Sequence, residues 1–289
     1  MRYQFIEGYR SEFPVGKMCL VLGVARSGYY GWRVLKPSLR EEENERLIKE
    51  IRRIHEVSRK IYGVPRIHAE LRSMGFSCSK NRVYRLMRES GIRSRVKRKY
   101  RATTNSKHSL PVAPNLLNRQ FTAVKPYQIM TGDITYIWTE EGWMYLAVVL
   151  DLYSRKVAGW SMSERIDVPL ALEALNQALY RFEGTGDQIF HSDRGSQYAA
   201  VDFRKELGNR HFLQSMSRKG NCWDNAVTES FFHSLKTEWL YFLKFSTREQ
   251  ARSAVFEYIE MFYNRQRRHS SLGYLSPLEF EQQALALAA

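Results

Sequence analysis

Three acidic residues in the second half of the chain have the types and positions that a hard metal ion requires. Asp133 falls in IMTGDITYIW, which alternates like a β-strand, and Asp193 follows the apolar run QIFHS. Glu229 lies within DNAVTESFFHSLKTEW, which contains no proline or glycine and predicts a helix. Carboxylates without a cysteine or histidine cluster are poor ligands for Zn²⁺ and good ligands for Mg²⁺ or Mn²⁺. We therefore predict a divalent-ion site, and two such ions ~3.5–4 Å apart can support displacement at phosphorus.

The helix that carries Glu229 is expected to bury one side. Asp224 is placed to cap its first turn. Four apolar side chains share one side of the helical wheel, namely Phe231, Phe232, Leu235 and Trp239. Glu229, His233 and Lys236 follow the edge of that side. We expect the helix to present Glu229 to a metal held by the two other acids, with Lys236 within reach of a phosphate.

Each acid also has a plainer interpretation. A single aspartate in a strand is often a local hydrogen-bonding residue, SDRG around Asp193 can be a simple turn, and Glu229 can be a surface acid. Their joint occurrence, in this order of elements, favours a site. Asp151 falls where a strand ends and is interpreted as structural. His191 and His233 have no metal-ligand partner at useful spacing, and Ser192 and Ser196 lack the context of a nucleophile.

The elements around these acids predict an α/β domain. Three strands joined by tight turns are followed by helix, strand, helix, strand and helix, so the sheet begins antiparallel and becomes partly parallel. Asp193 would lie at the carboxyl end of its strand, where open α/β sheets place ligand sites. The first strand alternates between Thr131, Asp133 and Thr135 on a polar face and Ile134, Tyr136 and Trp138 on the other.

Positive charge is concentrated in the first part of the chain. The net charge is +15, and residues 1–120 hold 27 Lys and Arg against 10 Asp and Glu, whereas residues 121–289 hold 18 against 20. A basic segment joined to a nearly neutral one indicates a nucleic-acid-binding module. A membrane-surface arm is the weaker alternative, because the basic residues alternate with helix-core residues instead of forming a bare polybasic tail.

The basic region contains a helix-turn-helix pattern. In GVPRIHAELRSMGFSCSKNRVYRLMRESGI, Pro65 begins a first helix that Gly75 ends, and Ser79 caps a second helix that Gly91 closes. Val83, Leu86 and Met87 are expected to face inward. The predicted DNA contacts of this second helix are Lys80, Asn81, Arg82, Arg85 and Arg88. A small helical bundle with a solvated basic face is the alternative. Before it, a charged helix has a buried stripe of Leu47, Ile51 and Ile54, and residues 17–32 show a shorter helix pair around Gly23, with Met18, Val21 and Leu22 at helical spacing.

A basic linker follows, in which charge replaces periodicity. Arg93, Arg95, Lys97, Arg98 and Lys99 are predicted to contact DNA phosphates without reading sequence. The expected domains are a helix-turn-helix-like segment at 1–40, a helix-turn-helix domain at 41–93, the linker at 94–120, a catalytic core at 121–245 and a helical extension at 246–289.

Composition excludes several other classes. The longest apolar runs are shorter than the ~18 residues that a membrane span needs, and the first residues lack a secretory signal. Three cysteines, Cys19, Cys78 and Cys222, are odd in number and far apart, which argues against a disulfide framework or a zinc site. We therefore expect a cytoplasmic, reduced protein.

Four sequence blocks resemble the catalytic subunit of bacterial insertion-sequence transposases of the DDE class, in the insertion sequence three family. They are GDITYI, HSDRGSQY, SRKGNCWDNAVTESFFHSLKTE and YNRQRRHSSLGYLSP, and they extend over most of residues 121–280. The resemblance implies a ribonuclease H-like, retroviral-integrase-like core with a mixed five-stranded sheet, and Asp133, Asp193 and Glu229 as the catalytic, metal-binding triad. It further implies two Mg²⁺ ions, for which Mn²⁺ can substitute. Further DNA contacts are expected within these blocks, at Arg194, Lys236, Arg267 and Arg268.

The same resemblance implies cleavage at transposon ends to free a 3′-hydroxyl, followed by strand transfer. The expected partners are double-stranded DNA, as terminal inverted repeats and target, and further copies of the chain, at least a dimer on DNA. An upstream-frame protein, or fusion to one, is a further candidate partner, and the chain would associate with the nucleoid when on DNA. Two alternatives stay open: a DNA-binding regulator with a non-catalytic integrase-like scaffold, and a metal-dependent nuclease.

Overall fold

A computed structural model of the chain describes residues 1–34, 38–95, 110–180, 182, 184–218 and 222–288. These residues form two compact units, Met1–Arg93 and Ser94–Ala289. Within the described ranges, no helix has both the length and the apolar character needed to cross a bilayer. Three of the predicted basic contacts, Lys97, Arg98 and Lys99, lie outside the described residues.

The first unit begins with three short helices around a small apolar core. They are α1 (Arg2–Gly8), α2 (Val15–Val21) and α3 (Arg26–Val34), and α1 was not predicted from the sequence. Ile6, Met18, Cys19 and Tyr29 form the buried centre. The spacing of Met18, Val21 and Leu22 suggested a shared inward stripe, but Val21 is 83% exposed. The stripe runs through Met18 and Leu22 instead, because α1 fills the remaining side of the core.

The helix-turn-helix pattern is confirmed as three further helices, α4 (Leu39–Val57), α5 (Val64–Ser73) and α6 (Lys80–Glu89). The Ser38 hydroxyl and the Glu41 carboxylate form a reciprocal capping box at the start of α4, whose predicted stripe is buried. Gly75 and Gly91 adopt φ values of +87° and +67°, which end α5 and α6. The Ser79 hydroxyl accepts from the Arg82 amide at 3.2 Å and caps α6.

The second unit contains a mixed five-stranded sheet in the order β3-β2-β1-β4-β5. The strands are β1 (Ile129–Thr139), β2 (Gly142–Asp151), β3 (Val157–Ser163), β4 (Gln188–Ser192) and β5 (Phe212–Met216). Strands β1 to β3 are antiparallel, and β4 and β5 run parallel to β1. The predicted sequence of strands and their directions is confirmed.

Helices cover both faces of this sheet. They are α7 (Val168–Ala178), α8 (Ser196–Ala199), α9 (Val201–Asn209), α10 (Ala226–Glu238), α11 (Arg248–Phe256) and α12 (Pro277–Ala288). Helices α7 to α9 pack on the face that presents Met130, Ala147 and Phe190. Helix α10 packs against β1 on the opposite face, and α11 continues into a π-helical segment, Glu257–Tyr263.

On β1 the polar face is buried, and the opposite face is exposed towards the end of the strand. Thr131 and Thr135 are 1% and 5% exposed, whereas Trp138 is 58% exposed. The threonine face is buried because α10 lies against it, and the Thr228 hydroxyl donates to the Thr131 hydroxyl at 2.9 Å. Alternation along the strand was therefore predicted correctly, but the polar side faces a helix.

Candidate active site

The register of the parallel strands places two of the three acids side by side. Gly132 of β1 is paired with Ser192, the last residue of β4, and Asp133 and Asp193 are the residues that directly follow this pair. Neighbouring strands lie about 4.8 Å apart, so the backbones of Asp133 and Asp193 are close together at the carboxyl end of β4. Pairing between β1 and β4 ends at this point, which leaves Asp133 partly exposed.

The pKa of Asp133 depends on burial and on the charged side chains around it. Burial raises the pKa of Asp133 well above its usual value, and the carboxylate of Asp193 raises it further. The carboxylate of Glu229 adds a smaller increase, while a hydrogen bond from the Ile134 amide, at 2.8 Å, and the ammonium of Lys236 oppose these effects. The charges of both other acids of the predicted triad therefore raise the pKa of Asp133, and the effect of Asp193 is larger than that of Glu229.

The backbone under the two aspartates is closely packed. A Cβ at Gly132 would lie 2.6 Å from the Phe190 ring and 3.4 Å from the ring of Tyr198, so a larger residue does not fit without a shift. Tyr198 is buried, and burial together with the charges of Asp133 and Asp193 raises its pKa well above the usual value. A neutral phenol thus lies beside the two carboxylates, a feature that the sequence did not reveal.

A turn and a buried histidine hold the end of β4. The Asp193 carboxylate accepts from the Gly195 amide at 2.9 Å. The ring nitrogens of His191 lie 2.8 Å from the Ser215 hydroxyl and 3.2 Å from the Ser217 hydroxyl, which connects β4 to the end of β5. Burial lowers the pKa of His191 to about 4, so the ring is neutral near pH 7. His191 supports the strand that carries Asp193.

The start of α10 is held by an ion-pair cluster instead of a side-chain cap. Asp224 was predicted to cap the helix, but it lies in a short 3₁₀ turn before Ala226 and is fully buried. Its carboxylate accepts from Arg218 at 2.8 and 2.9 Å, from Arg119 at 3.0 Å and from Asn115 at 2.9 Å. Hydrogen bonds from Arg218 are the main cause of a pKa for Asp224 well below its usual value. The cluster joins the segment before β1, the end of β5 and the start of α10.

Glu229 lies one turn into α10 and is partly buried, and burial raises its pKa. The neighbouring Thr228 anchors this turn to β1 through Thr131. Further along, Lys236 is only 7% exposed, with its Nζ atom 4.6 Å from the centre of the Tyr136 ring. Burial lowers the pKa of Lys236 to about 8, against the opposing effect of Asp133. His233 is exposed.

The donor set fits a hard divalent cation in its chemistry, because carboxylate oxygens are the ligands that Mg²⁺ and Mn²⁺ prefer. Two of the acids share a strand edge, and the pKa of Asp133 responds to both others. Within the described ranges, however, no three His, Cys, Asp or Glu side chains lie in positions that could coordinate one ion. The structure therefore places Asp133 and Asp193 next to each other, and the described residues do not form a complete coordination shell.

The basic residues predicted to contact DNA fall into different environments. On α6, Val83, Leu86 and Met87 are buried as predicted. The exposed side chains of this helix include Lys80, Asn81, Arg85 and Arg88, while Arg82 pairs with Glu43 at 2.9 Å and is mostly covered. Arg93 and Arg95 are exposed, and the Arg95 guanidinium lies 3.8 Å from the centre of the Phe242 ring. Arg194 donates to the Ser217 carbonyl at 2.7 Å.

Two arginines near the C-terminus that were predicted to contact DNA are largely covered by other parts of the chain. Arg267 is 5% exposed and donates to both carboxylate oxygens of Glu238 at 2.7 Å. Burial lowers the pKa of Arg267, but the charge of Glu238 more than offsets this, so the pKa is raised. Arg268 donates to the Tyr274 carbonyl at 3.0 Å, and its side chain is 11% exposed. Both side chains contact the C-terminal segment, and the guanidinium of Arg267 is occupied by its buried ion pair with Glu238.

The five-stranded mixed sheet, with acids at adjacent strands and a third on the following helix, defines a ribonuclease H-like integrase core. Integrase core domain models match residues 123–222 and 229–285, and an HTH-like domain model matches residues 42–100. The chain is 45% identical over 288 residues to the transposase InsF for insertion sequence IS3A of Escherichia coli (strain K12), covering 99% of this chain and 100% of that protein. It is 47% identical over 272 residues to an insertion element IS600 uncharacterized 31 kDa protein of Shigella sonnei, covering 94% and 100%. The chain belongs to the IS3 family of insertion-sequence transposases, which act in DNA transposition.

Among solved structures, the HTLV-2 integrase catalytic core domain in complex with magnesium is similar at 16% identity and a TM-score of 0.40, covering 54% of this chain and 97% of that one. Family membership rests on the sequence matches, which extend over nearly the whole chain. The resemblance inferred from the four sequence blocks is therefore confirmed.

Proposed function

We propose that Asp133, Asp193 and Glu229 bind Mg²⁺ and catalyse both cleavage at the transposon ends and transfer of the freed 3′-hydroxyl to target DNA. The observation that carries this proposal is the register of β1 and β4, which brings Asp133 and Asp193 to one strand edge where their carboxylates interact. When bound, a pair of divalent ions would activate the attacking oxygen, stabilise the leaving oxygen and neutralise phosphate charge. Mn²⁺ has the same ligand preference and is expected to substitute.

The other residues of the site have supporting roles in this proposal. Gly132 allows the close approach of β1 to Phe190, and the hydrogen bonds of His191 fix the strand that ends at Asp193. The Asp224 cluster and the contact between Thr228 and Thr131 set the position of α10, and therefore of Glu229. Lys236 provides a positive charge beside Asp133, where a DNA phosphate would be held.

Recognition of the transposon ends is assigned to α6. Its exposed side chains, Lys80, Asn81, Arg85 and Arg88, lie opposite the buried Val83, Leu86 and Met87. This division is the one that a major-groove recognition helix requires. Because two transposon ends must be brought together, we further propose at least a dimer on DNA, with an upstream-frame protein or fusion as an additional partner.

The test is strand joining by the full chain on a labelled duplex that carries one end of its own element, with Mg²⁺ or with chelator. We expect wild-type joining with Mg²⁺ and none with chelator, and no joining by Asp193→Asn. Asp202→Asn, an exposed aspartate on α9, is the matched control and should join as wild type does. Joining by Asp193→Asn at the wild-type rate would refute the assignment. Cleavage without joining by wild type would indicate a nuclease, and binding without either would indicate a regulator.

A further inference from the structure

A groove of about 600 Å³ lies at the turn end of the β1–β2 hairpin. The side chains that give it its chemistry are Tyr136, Trp138, Glu140, Trp143, Lys236 and Lys244. Its volume is within the range of about 300–1,000 Å³ that holds small organic groups in other proteins. The mechanism proposed above uses only Lys236 of these residues.

The groove exposes aromatic surface. Trp138 and Trp143 are 58% and 45% exposed, and Tyr136 is 37% exposed. The two tryptophans are cross-strand neighbours on one face of the hairpin and pack edge to face, with ring centres 4.8 Å apart and planes at 72°. Helices α7 to α9 cover the same face of the sheet further back, where it presents Ala147 and Val149, and the hairpin extends beyond this core. Contiguous exposed aromatic surface of this kind commonly marks a binding site.

Lys236 links the groove to the catalytic carboxylates. The ammonium of Lys236 acts on Asp133 and also lies 4.6 Å from the centre of the Tyr136 ring. Tyr136 is three residues beyond Asp133 on the same strand, about 10 Å away at a rise of about 3.3 Å per residue. That distance corresponds to about three steps of a DNA strand at 3.4 Å per nucleotide. Tyr136 and Trp138 lie on the face of β1 opposite to Asp133, and the pairing of β1 with β4 ends at Gly132. A DNA strand with a phosphate at the carboxylates would therefore reach the groove by passing around this free edge of β1.

We propose that the groove binds an unpaired nucleobase of the DNA strand held at the carboxylates. The base stacks on Trp138 and Trp143, and the neighbouring phosphates contact the ammonium groups of Lys236 and Lys244. Glu140 can accept a hydrogen bond from an exocyclic amino group, the type of contact that acidic side chains make with bases. This inference rests on the proposed function, since it requires a DNA strand at Asp133 and Asp193.

The chemistry of the groove favours a base over other occupants. Base faces are accessible only when a base leaves the stack, and aromatic side chains then replace the lost stacking. An intact duplex would present its charged backbone to the tryptophans. An apolar peptide would match the rings alone, whereas a nucleotide offers a base to the rings and a phosphate to the ammonium groups of Lys236 and Lys244.

The experiment compares two DNA probes with the full chain in Mg²⁺, and each probe ends in a 3′-deoxynucleotide so that no strand joining occurs. One is a blunt duplex and the other carries a three-nucleotide single-stranded 3′ overhang containing 5-iododeoxyuridine, which cross-links to stacked aromatic residues under ultraviolet light. Trp138→Ala should weaken binding of the overhang probe by about 5- to 100-fold, the range for loss of one stacking platform, and change blunt-duplex binding less than about twofold. The cross-link should map to Trp138 or Trp143.

Two further variants control for folding and for general loss of aromatic surface. Trp138→Phe retains a stacking ring and should restore most of the overhang affinity. Phe256→Ala removes an aromatic residue that is 50% exposed on α11 and should leave both probes unaffected. If Trp138→Ala does not fold, Trp143→Ala is tested in its place.

Three outcomes would overturn the inference. They are unchanged overhang binding in both tryptophan variants, an equal loss on both probes, or a changed oligomeric state with no cross-link in the groove. The joining assay is read separately. Wild type that joins ends but shows no groove cross-link refutes only the base site, whereas wild type that fails to join refutes the proposed function whatever the groove binds.

Discussion

Substitution of Arg267 by methionine is expected to destabilise the second unit without a specific loss of DNA binding. The guanidinium makes two hydrogen bonds of 2.7 Å to Glu238 at the end of α10, and a third of 3.1 Å to the Ser234 hydroxyl. Its Nη1 atom also lies 3.4 Å from the His269 ring nitrogen. The side chains of Arg267 and Glu238 are 6% and 7% exposed, so water cannot replace these contacts. Arg267→Met leaves the Glu238 carboxylate buried and without its charged partner.

The size of the effect follows from this burial. Breaking a buried ion pair by removing one partner costs about 3–5 kcal/mol, because the remaining charge stays desolvated. For a unit of roughly 150–250 residues, each kcal/mol lowers the melting temperature by about 2–4 °C. We therefore expect Arg267→Met to lower the melting temperature of the second unit by about 6–20 °C. Replacing both partners, as in Glu238→Leu with Arg267→Met, should restore much of this loss, since an apolar pair removes the buried charge.

The assay is thermal unfolding of the full chain, with DNA affinity measured at a temperature below both transitions. Arg252→Met is the matched control, because Arg252 is 43% exposed, pairs with Glu249 at 3.6 Å and makes only long hydrogen bonds of 3.4 Å to the Met162 carbonyl. Such surface pairs contribute at most about 1 kcal/mol, so its melting temperature should stay close to that of wild type. If Arg267→Met melts within about 2 °C of wild type and binds DNA more weakly, the buried role is wrong and the sequence-based assignment to DNA is right.

Two other predictions test DNA recognition and the support of α10. The variant with both Arg85→Gln and Arg88→Gln should reduce the slope of log affinity against log salt by about two, since each lost phosphate contact contributes about 0.9. Arg53→Gln, on the exposed surface of α4, should leave the slope unchanged, and an unchanged slope in the double variant would remove α6 from the DNA interface. For Asp224, the depressed pKa in the folded state means that its ionised form stabilises folding above the unfolded pKa of about 3.9, and that this contribution is lost as pH falls below it. We therefore expect the melting temperatures of wild type and Asp224→Asn to differ by a constant amount above about pH 5 and by less near pH 3. A difference in melting temperature that grows on acidification would contradict the ion-pair cluster.

Local sequence signals were sufficient for most of the secondary structure. Ser79, Gly75 and Gly91 mark helix ends that the structure confirms, because capping and left-handed φ depend on a few neighbouring residues. The alternation in β1 and the apolar run before Asp193 likewise predicted strands. By contrast, α1 had no comparable signal, and its core contact through Ile6 depends on α2 and α3.

The sequence also identified the acids as candidates, since their residue types already suggest metal chemistry. Whether they meet depends on the β1–β4 register, which places Asp133 beside Asp193 and is set by contacts between segments far apart in the chain. Burial was the least predictable property. Arg267 and Asp224 resemble surface or capping residues in sequence, but each is buried by partners from distant segments, Glu238 for the first and Arg119 for the second. A pattern along the chain reports which side of an element a residue occupies, and only packing decides what covers that side.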